Sequence, residues 1–204
     1  MMFQSSMRSL TFVLAVLALA LSGCGETKPS SFYLLSVLPA PEAPIGSTPS
    51  GQLALGIGPV SLPSYLDRPQ LVTRASPNRL AFAEFDRWAE SLQDMFSRTL
   101  AENLSALLGT DRVFVVPRRR TPMLDYQVAV EVLRFDMGMD GQAVLSARWT
   151  IFAEDGKEVL LLRKSVLTEQ VVPADDPEGM VVAMSRAVEA LSREIARAIQ
   201  SAAG

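Results

Sequence analysis

The sequence predicts a single-domain α/β sandwich: a mixed sheet of about five or six strands covered by two main helices. Three observations predict it. Short apolar or alternating runs are divided by Pro, Gly and Asp-Gly punctuation, as strands are. Two long segments, 86–108 and 177–201, repeat apolar residues at steps of three and four, which builds one apolar face on a helix. The order is strands, helix, strands, helix, so two amphipathic helices can cover one sheet.

Ser31 to Leu38 (SFYLLSVL) reads as a first strand, and the four prolines of 39–51 make the next stretch a loop. Leu53 to Val60 (LALGIGPV) is a second strand, apolar enough for burial on both faces. Pro59 and Pro63 remove ladder donors and mark an edge or an exit. Gln70 to Arg74 and Arg79 to Glu84 form a strand pair around the turn Ser76-Pro77-Asn78. Segment 59–84 interrupts the main pattern and is expected to project from it.

A long helix is expected over Asp86 to Leu108, with Trp88, Leu92, Met95, Phe96, Leu100, Leu104, Leu107 and Leu108 on its buried face and Gly109 to end it. Trp88 is assigned to the core. Val113 to Val116 is a short buried strand closed by Pro117. Tyr126 to Asp136 alternates around Val128, Val130 and Val132, and 137–141 is a turn. Ala143 to Ala153 places Leu145, Ala147, Trp149 and Ile151 on one face. Asp155-Gly156 is a hairpin signal, and Glu158 to Glu169 is the return strand. In the last helix, Pro177 to Ser201, Asp176 suits the N-cap, Pro177 the first turn and Glu178 the positive end of the dipole. Val181, Met184, Val188, Leu191, Ile195 and Ala198 form a stripe that serves either the core or a partner helix.

Ahead of this domain, Arg8 and the uncharged run Leu10 to Leu21 have the form of a secretory signal. The run is about a dozen residues, within the roughly 7–15 of a signal h-region and short of the roughly 20 of a permanent span. Leu21-Ser22-Gly23-Cys24 resembles a lipobox, whose cysteine thiolate is a good nucleophile for taking up a diacylglyceryl group. The expected organisation is a signal peptide over 1–23, lipidated Cys24 with a tether over 24–31, and a domain over 32–204. Two or more acyl chains anchor stably. In enterobacterial lipoproteins an aspartate after the cysteine favours inner-membrane retention; Gly25 stands there. The resemblance therefore implies the outer membrane, facing the periplasm.

Composition excludes much chemistry. There is no histidine, which removes the usual general base near neutral pH and the commonest metal ligand. The one cysteine cannot pair within the chain. We therefore expect no metal site, no cofactor and no Ser-His-Asp or Cys-His catalysis. Asp175 and Asp176 are adjacent at a helix start and read as capping rather than a catalytic pair. Net charge is −3, and losing residues 1–23 removes only Arg8, giving −4. That leaves no broad basic face for nucleic acid. The basic cluster 118–120 reads as a solvated loop. Gly56-Ile57-Gly58 before a proline fits a bulge or close packing better than a phosphate loop.

SFYLLSVLP after the cysteine, LALGIGPVSLPSYLDRPQLVTR and FDRWAESLQDMFSRTLAENL resemble the ABC-type transport auxiliary lipoprotein family, the PqiC type. PSYLDRPQLVTR followed by Arg87-Trp88 is the most specific part. The resemblance implies an outer-membrane lipoprotein working beside an MCE-domain periplasmic protein and inner-membrane transport components. Such systems move lipids or other hydrophobic molecules between the two membranes and support envelope integrity. It also implies an α/β sandwich similar to the N-terminal domain of TolB-type proteins, no catalytic residues, and a possible homo-oligomer. There is no G-x-x-x-x-G-K-S/T, so any ATPase belongs to a partner. Two other roles fit an anchored α/β domain: a pilot for a secretin or lipopolysaccharide-transport machine, and a lipid carrier with its own pocket.

For docking, the candidate residues are Tyr65, Leu66, Asp67, Arg68, Pro69 and Arg74. Tyr and Arg are favoured interface anchors, and prolines stiffen the segment before binding. The competing structural role is that Tyr65 and Leu66 pack on the domain while Asp67 pairs with Arg68 or Arg74.

Overall fold

The computed structural model describes residues 28–39, 53–117, 122–153, 158–173 and 176–203. Cys24, the cluster 118–120, the Asp155-Gly156 turn and Asp175 lie outside the described residues. Eight strands form one mixed sheet: β1 (Ser31–Tyr33), β2 (Leu55–Ser61), β3 (Gln70–Ser76), β4 (Arg79–Trp88), β5 (Val113–Val115), β6 (Tyr126–Met137), β7 (Gln142–Ala153) and β8 (Glu158–Gln170). Two helices, α1 (Leu92–Leu108) and α2 (Pro177–Ala203), complete the sandwich.

Strand β6 organises the sheet. It pairs antiparallel with β7 from Tyr126↔Ala153 to Met137↔Ala143, and β7 pairs antiparallel with β8. Its other side is shared. Residues 126–131 pair parallel with β2, and Met137 pairs with Thr73 of β3. The sheet therefore forks at β6. One branch runs through β2 to β5; the other runs through β3 and β4 to β1.

The strand count exceeds the expected five or six because segment 59–84 does not project. It supplies β3 and β4, which pair antiparallel and join the sheet through β6 and β1. The first strand is shorter than expected, ending at Tyr33. Beyond it the backbone is held by side chains instead of a neighbouring strand. The Ser36 amide donates to Ser185 Oγ (3.0 Å) and the Leu38 amide to Asn103 Oδ1 (2.8 Å). Leu35 and Leu38 are buried while Leu34 and Val37 face out.

The first helix begins at Leu92, not Asp86. Residues Asp86 to Trp88 extend β4 because β1 pairs with them in parallel. Ser91 is the N-cap, its Oγ accepting from the Asp94 amide (3.4 Å). Gly109 ends the helix in the left-handed conformation (φ 63°), as its type suggests. Trp88 is buried as expected. Val113–Val115 is half-buried to exposed rather than buried, because β5 pairs only with β2.

One continuous apolar cluster lies between sheet and helices. Ile57, Val128, Val130, Leu145, Trp149 and Ile151 meet Phe96, Leu100 and Leu104 of α1 and Met184, Val188, Leu191 and Ile195 of α2. Phe96 meets Phe135 edge-to-face, with ring centroids 5.7 Å apart. The α2 stripe thus serves the core, with Ala198 partly buried at its end. Asp176 caps that helix, its Oδ2 accepting from the Gly179 amide (2.8 Å). Gly58, at φ +132°, lies against β5's exit: a Cβ there would stand 2.2 Å from the Val116 carbonyl oxygen. The β2 register shifts between Ile57 and Val60, so the Gly-Ile-Gly stretch is a point of close packing and irregularity.

Candidate docking site

The segment between β2 and β3 is folded onto the domain by its own residues. Pro63 leads into a single 3-10 turn over Ser64–Leu66, closed by the Leu66 amide to the Pro63 carbonyl (2.9 Å). Leu66 is driven into the core and is 2% exposed. The Pro69 carbonyl accepts from the Trp88 amide (2.6 Å), tying the end of the segment to β4.

Beneath it lies a carboxylate with no exposed surface, Asp136 of β6. Three side chains converge on it. Tyr65 OH donates to Oδ2 (3.0 Å), Arg74 Nη2 to Oδ2 (2.8 Å), and Arg134 Nε to Oδ1 (2.7 Å). Arg74 Nε adds a longer contact to Oδ1 (3.4 Å), and its Nη1 reaches the Pro77 carbonyl (3.2 Å). A buried carboxylate is tolerable only when its lone pairs are filled by charged or strong donors, and here they are. The two guanidinium groups remain partly exposed, so they keep some water while neutralising the carboxylate.

This arrangement perturbs its members. Burial, reinforced by the negative charge and hydrogen bond of Asp136, pushes the Tyr65 phenol up to about 12. Arg74 is held further toward its charged form, chiefly by its hydrogen bond to the same carboxylate.

The structure thus separates the six sequence candidates. Tyr65 and Arg74 belong to the Asp136 cluster and Leu66 to the core. Arg68 is half-buried: its Nε donates to the Tyr65 carbonyl (2.8 Å) and its guanidinium lies 3.9 Å from the Phe82 ring centroid. Asp67 and Pro69 are exposed. Among the described residues Asp67 makes no ion pair; Arg74 pairs with Asp136 in its place. The exposed rim of this lip is Asp67, Pro69 and the Arg68–Phe82 stack. Asp136 and Arg134 were not singled out in the sequence. Their signal was there: a cation and an anion two residues apart share one face of a strand, next to an apolar run.

A concavity of about 660 Å³ lies between β8 and α2, bordered by Leu161, Arg163, Val166, Glu194 and Arg197. At its wall Ser165 Oγ accepts from Trp149 Nε1 (3.0 Å) and donates to the Glu194 carboxylate. The Trp149 indole N–H and the Ser165 hydroxyl are thus both satisfied within the wall. Among the described residues no group of three or more metal-ligating side chains occurs, and no helix is long and apolar enough to cross a membrane.

The model of the family described as ABC-type transport auxiliary lipoprotein component matches residues 33–196. No curated protein matches the chain. Two crystal structures have a similar fold. One, of an uncharacterized protein, is 23% identical with a TM-score of 0.69, covering 84% of this chain and 99% of that one. The other, of a protein from Xanthomonas campestris, is 19% identical with a TM-score of 0.64, covering 81% and 92%. At these identities the likeness concerns the fold.

Proposed function

Because this chain belongs to the ABC-type transport auxiliary lipoprotein family, we propose that it is the outer-membrane, periplasm-facing lipoprotein of an MCE-domain system moving lipid between two membranes. It is a docking component with no enzymatic chemistry of its own. Acyl groups on Cys24 hold it at the membrane, and the folded domain engages the periplasmic MCE protein that leads back to the inner-membrane components. The physical need is plain: each lipid methylene exposed to water costs about 0.8 kcal/mol. A shielded route between membranes avoids that cost only if its end is seated against the receiving membrane.

The observation that supports this reading is the Asp136 cluster. A buried carboxylate bound by Tyr65, Arg74 and Arg134 pins the proline-rich segment to β6 and presents Asp67, Pro69 and the Arg68–Phe82 stack as a rigid rim. A pre-ordered rim loses little conformational entropy on binding.

The test replaces rim residues that lie outside the cluster. Asp67→Lys with Arg68→Glu exchanges the positions of the rim's two opposite charges and leaves all contacts to Asp136 in place. Pull-down from envelope extracts should then recover much less MCE-domain protein than the parent does. Unchanged recovery by a folded variant removes the rim as the docking surface. Recovery of a secretin or β-barrel by the parent, with no MCE protein, would assign the chain to envelope assembly instead.

A further inference from the structure

Apolar side chains are exposed where the domain begins. Phe32 is 64% exposed and Leu34 and Val37 52% each, within six consecutive residues. Phe32 and Leu34 alternate with Tyr33 and Leu35, which turn inward: Tyr33 OH donates to Asp86 Oδ1 (3.0 Å) and Leu35 is buried. The Ser36 amide bonds Ser185 Oγ, and Val182, one turn earlier on α2, is also exposed. Exposed Val172 lies at the same helix end, its carbonyl oxygen 2.7 Å from where a Cβ on Gly179 would be. Five exposed apolar side chains therefore surround the junction of β1 and the start of α2. Isolated exposed apolar residues are ordinary, but a grouping like this marks a contact surface.

We propose that this patch rests in the headgroup region of the bilayer that carries the anchor, so that the domain sits on the membrane in one orientation. The inference rests on the reading that Cys24 is acylated. Cys24 precedes Ser31 by seven residues, which reach about 25 Å when fully extended. The acyl chains thus hold β1 within that distance of the lipid surface. Another run of exposed apolar residues, Val159, Leu160, Leu162 and Val166 on β8, lies at a different edge of the sheet. Along the sheet it is separated from β1 by β7, β6, β3 and β4. The charges at the patch are mixed: Asp86, Asp176 and Glu178 stand against Lys28 and Arg87. The surface it fits is therefore hydrocarbon and headgroup in general, not an anionic lipid in particular.

The single native cysteine is the anchor, so an introduced cysteine in the acylated full-length chain is uniquely reactive. Leu34→Cys and Val37→Cys, with Lys164→Cys on β8 as the reference, are labelled with nitrobenzoxadiazole. The proteins are then reconstituted into phosphatidylcholine vesicles carrying nitroxide-bearing lipid. The labels at 34 and 37 should emit at shorter wavelength and be quenched about twofold or more beyond the label at 164. Adding phosphatidylglycerol should change neither result. Equal quenching at all three positions, in protein that floats with the vesicles, overturns the proposal. Failure to float, with an intact mass showing free Cys24, overturns the anchor itself and the orientation with it.

Discussion

Arg74 Nη2 donates to Asp136 Oδ2 at 2.8 Å across 62 positions of sequence, and the carboxylate it meets is entirely buried. This bond joins the proline-rich segment to the central strand. Replacing Asp136 with Asn removes the charge that both guanidinium groups neutralise. Those groups are 24% and 31% exposed and recover part of their hydration. The loss should therefore fall at about 2–4 kcal/mol, near the lower end for breaking a buried pair. Urea unfolding of Asp136→Asn measures it. Arg74→Met leaves the carboxylate with Arg134 and Tyr65 and should cost less, about 1–3 kcal/mol.

Tyr65 gives this cluster an alkaline signature. Its phenol titrates near 10 when unfolded and is pushed up to about 12 when folded. The folded state thus holds its proton more tightly, and the associated stability is complete below pH 10. It declines as the unfolded chain releases that proton and is gone above the folded value. Tyr65→Phe should flatten the stability curve between pH 10 and 12 by on the order of 1–2 kcal/mol relative to the parent. Denaturation midpoints measured at pH 9 and across that window decide it; parallel curves for parent and variant would refute the assignment.

Gly58 should tolerate no side chain. Its φ of +132° disfavours L-residues, and a Cβ would lie 2.2 Å from a backbone oxygen, which cannot swing aside as a side chain can. Gly58→Ala should destabilise by about 3 kcal/mol or more, whereas Gly141→Ala, at φ +70° but with its Cβ only in ordinary contact with Gln170 Nε2 at 3.5 Å, should cost about 1 kcal/mol. Thermal unfolding of the two variants gives the comparison.

Asn103 is 1% exposed and joins three parts of the chain: its Oδ1 accepts from the Leu38 amide and its Nδ2 donates to Ser192 Oγ (3.2 Å). Asn103→Leu leaves the Leu38 amide without its acceptor and should cost about 1–3 kcal/mol. Hydrogen exchange at Leu38 should quicken in the variant while exchange in β7 keeps pace only with the global loss. Unchanged protection at Leu38 would show that the bond does not hold the segment.

The long elements were legible because their periods are. The alternation in β6 and β7 and the three-four steps of α1 and α2 each repeat often enough to identify a face. The errors fall where tertiary partners decide. Residues 34–38 have strand-like composition, but the Ser36 and Leu38 amides are taken by Ser185 and Asn103, which lie far off in sequence. Asp86 to Trp88 fit the helical period and still extend β4, because β1 is there to pair with them. At the candidate site, Tyr65 and Arg74 stood out as unusual residues in a proline-rich stretch. Their destination did not, because a charged residue on a strand reads as solvent-facing until its partners are known. Leu66 illustrates the opposite case: its place beside Tyr65 suggested an exposed anchor, and the 3-10 turn directs it inward.

The forked sheet also sets the order in which the chain can become a protein. Ser31 pairs with Asp86, 55 positions later, and Leu55 with Tyr126, 71 positions later, whereas β6, β7 and β8 follow one another directly. A ribosome delivers β1 and β2 first and gives them nothing to join. Until residue 137 has emerged, both branches lack the strand from which they diverge, and Leu55 and Ile57 stay open to any sticky neighbour. Nascent or stalled chains ending before that point should therefore be the ones that holdase chaperones retain.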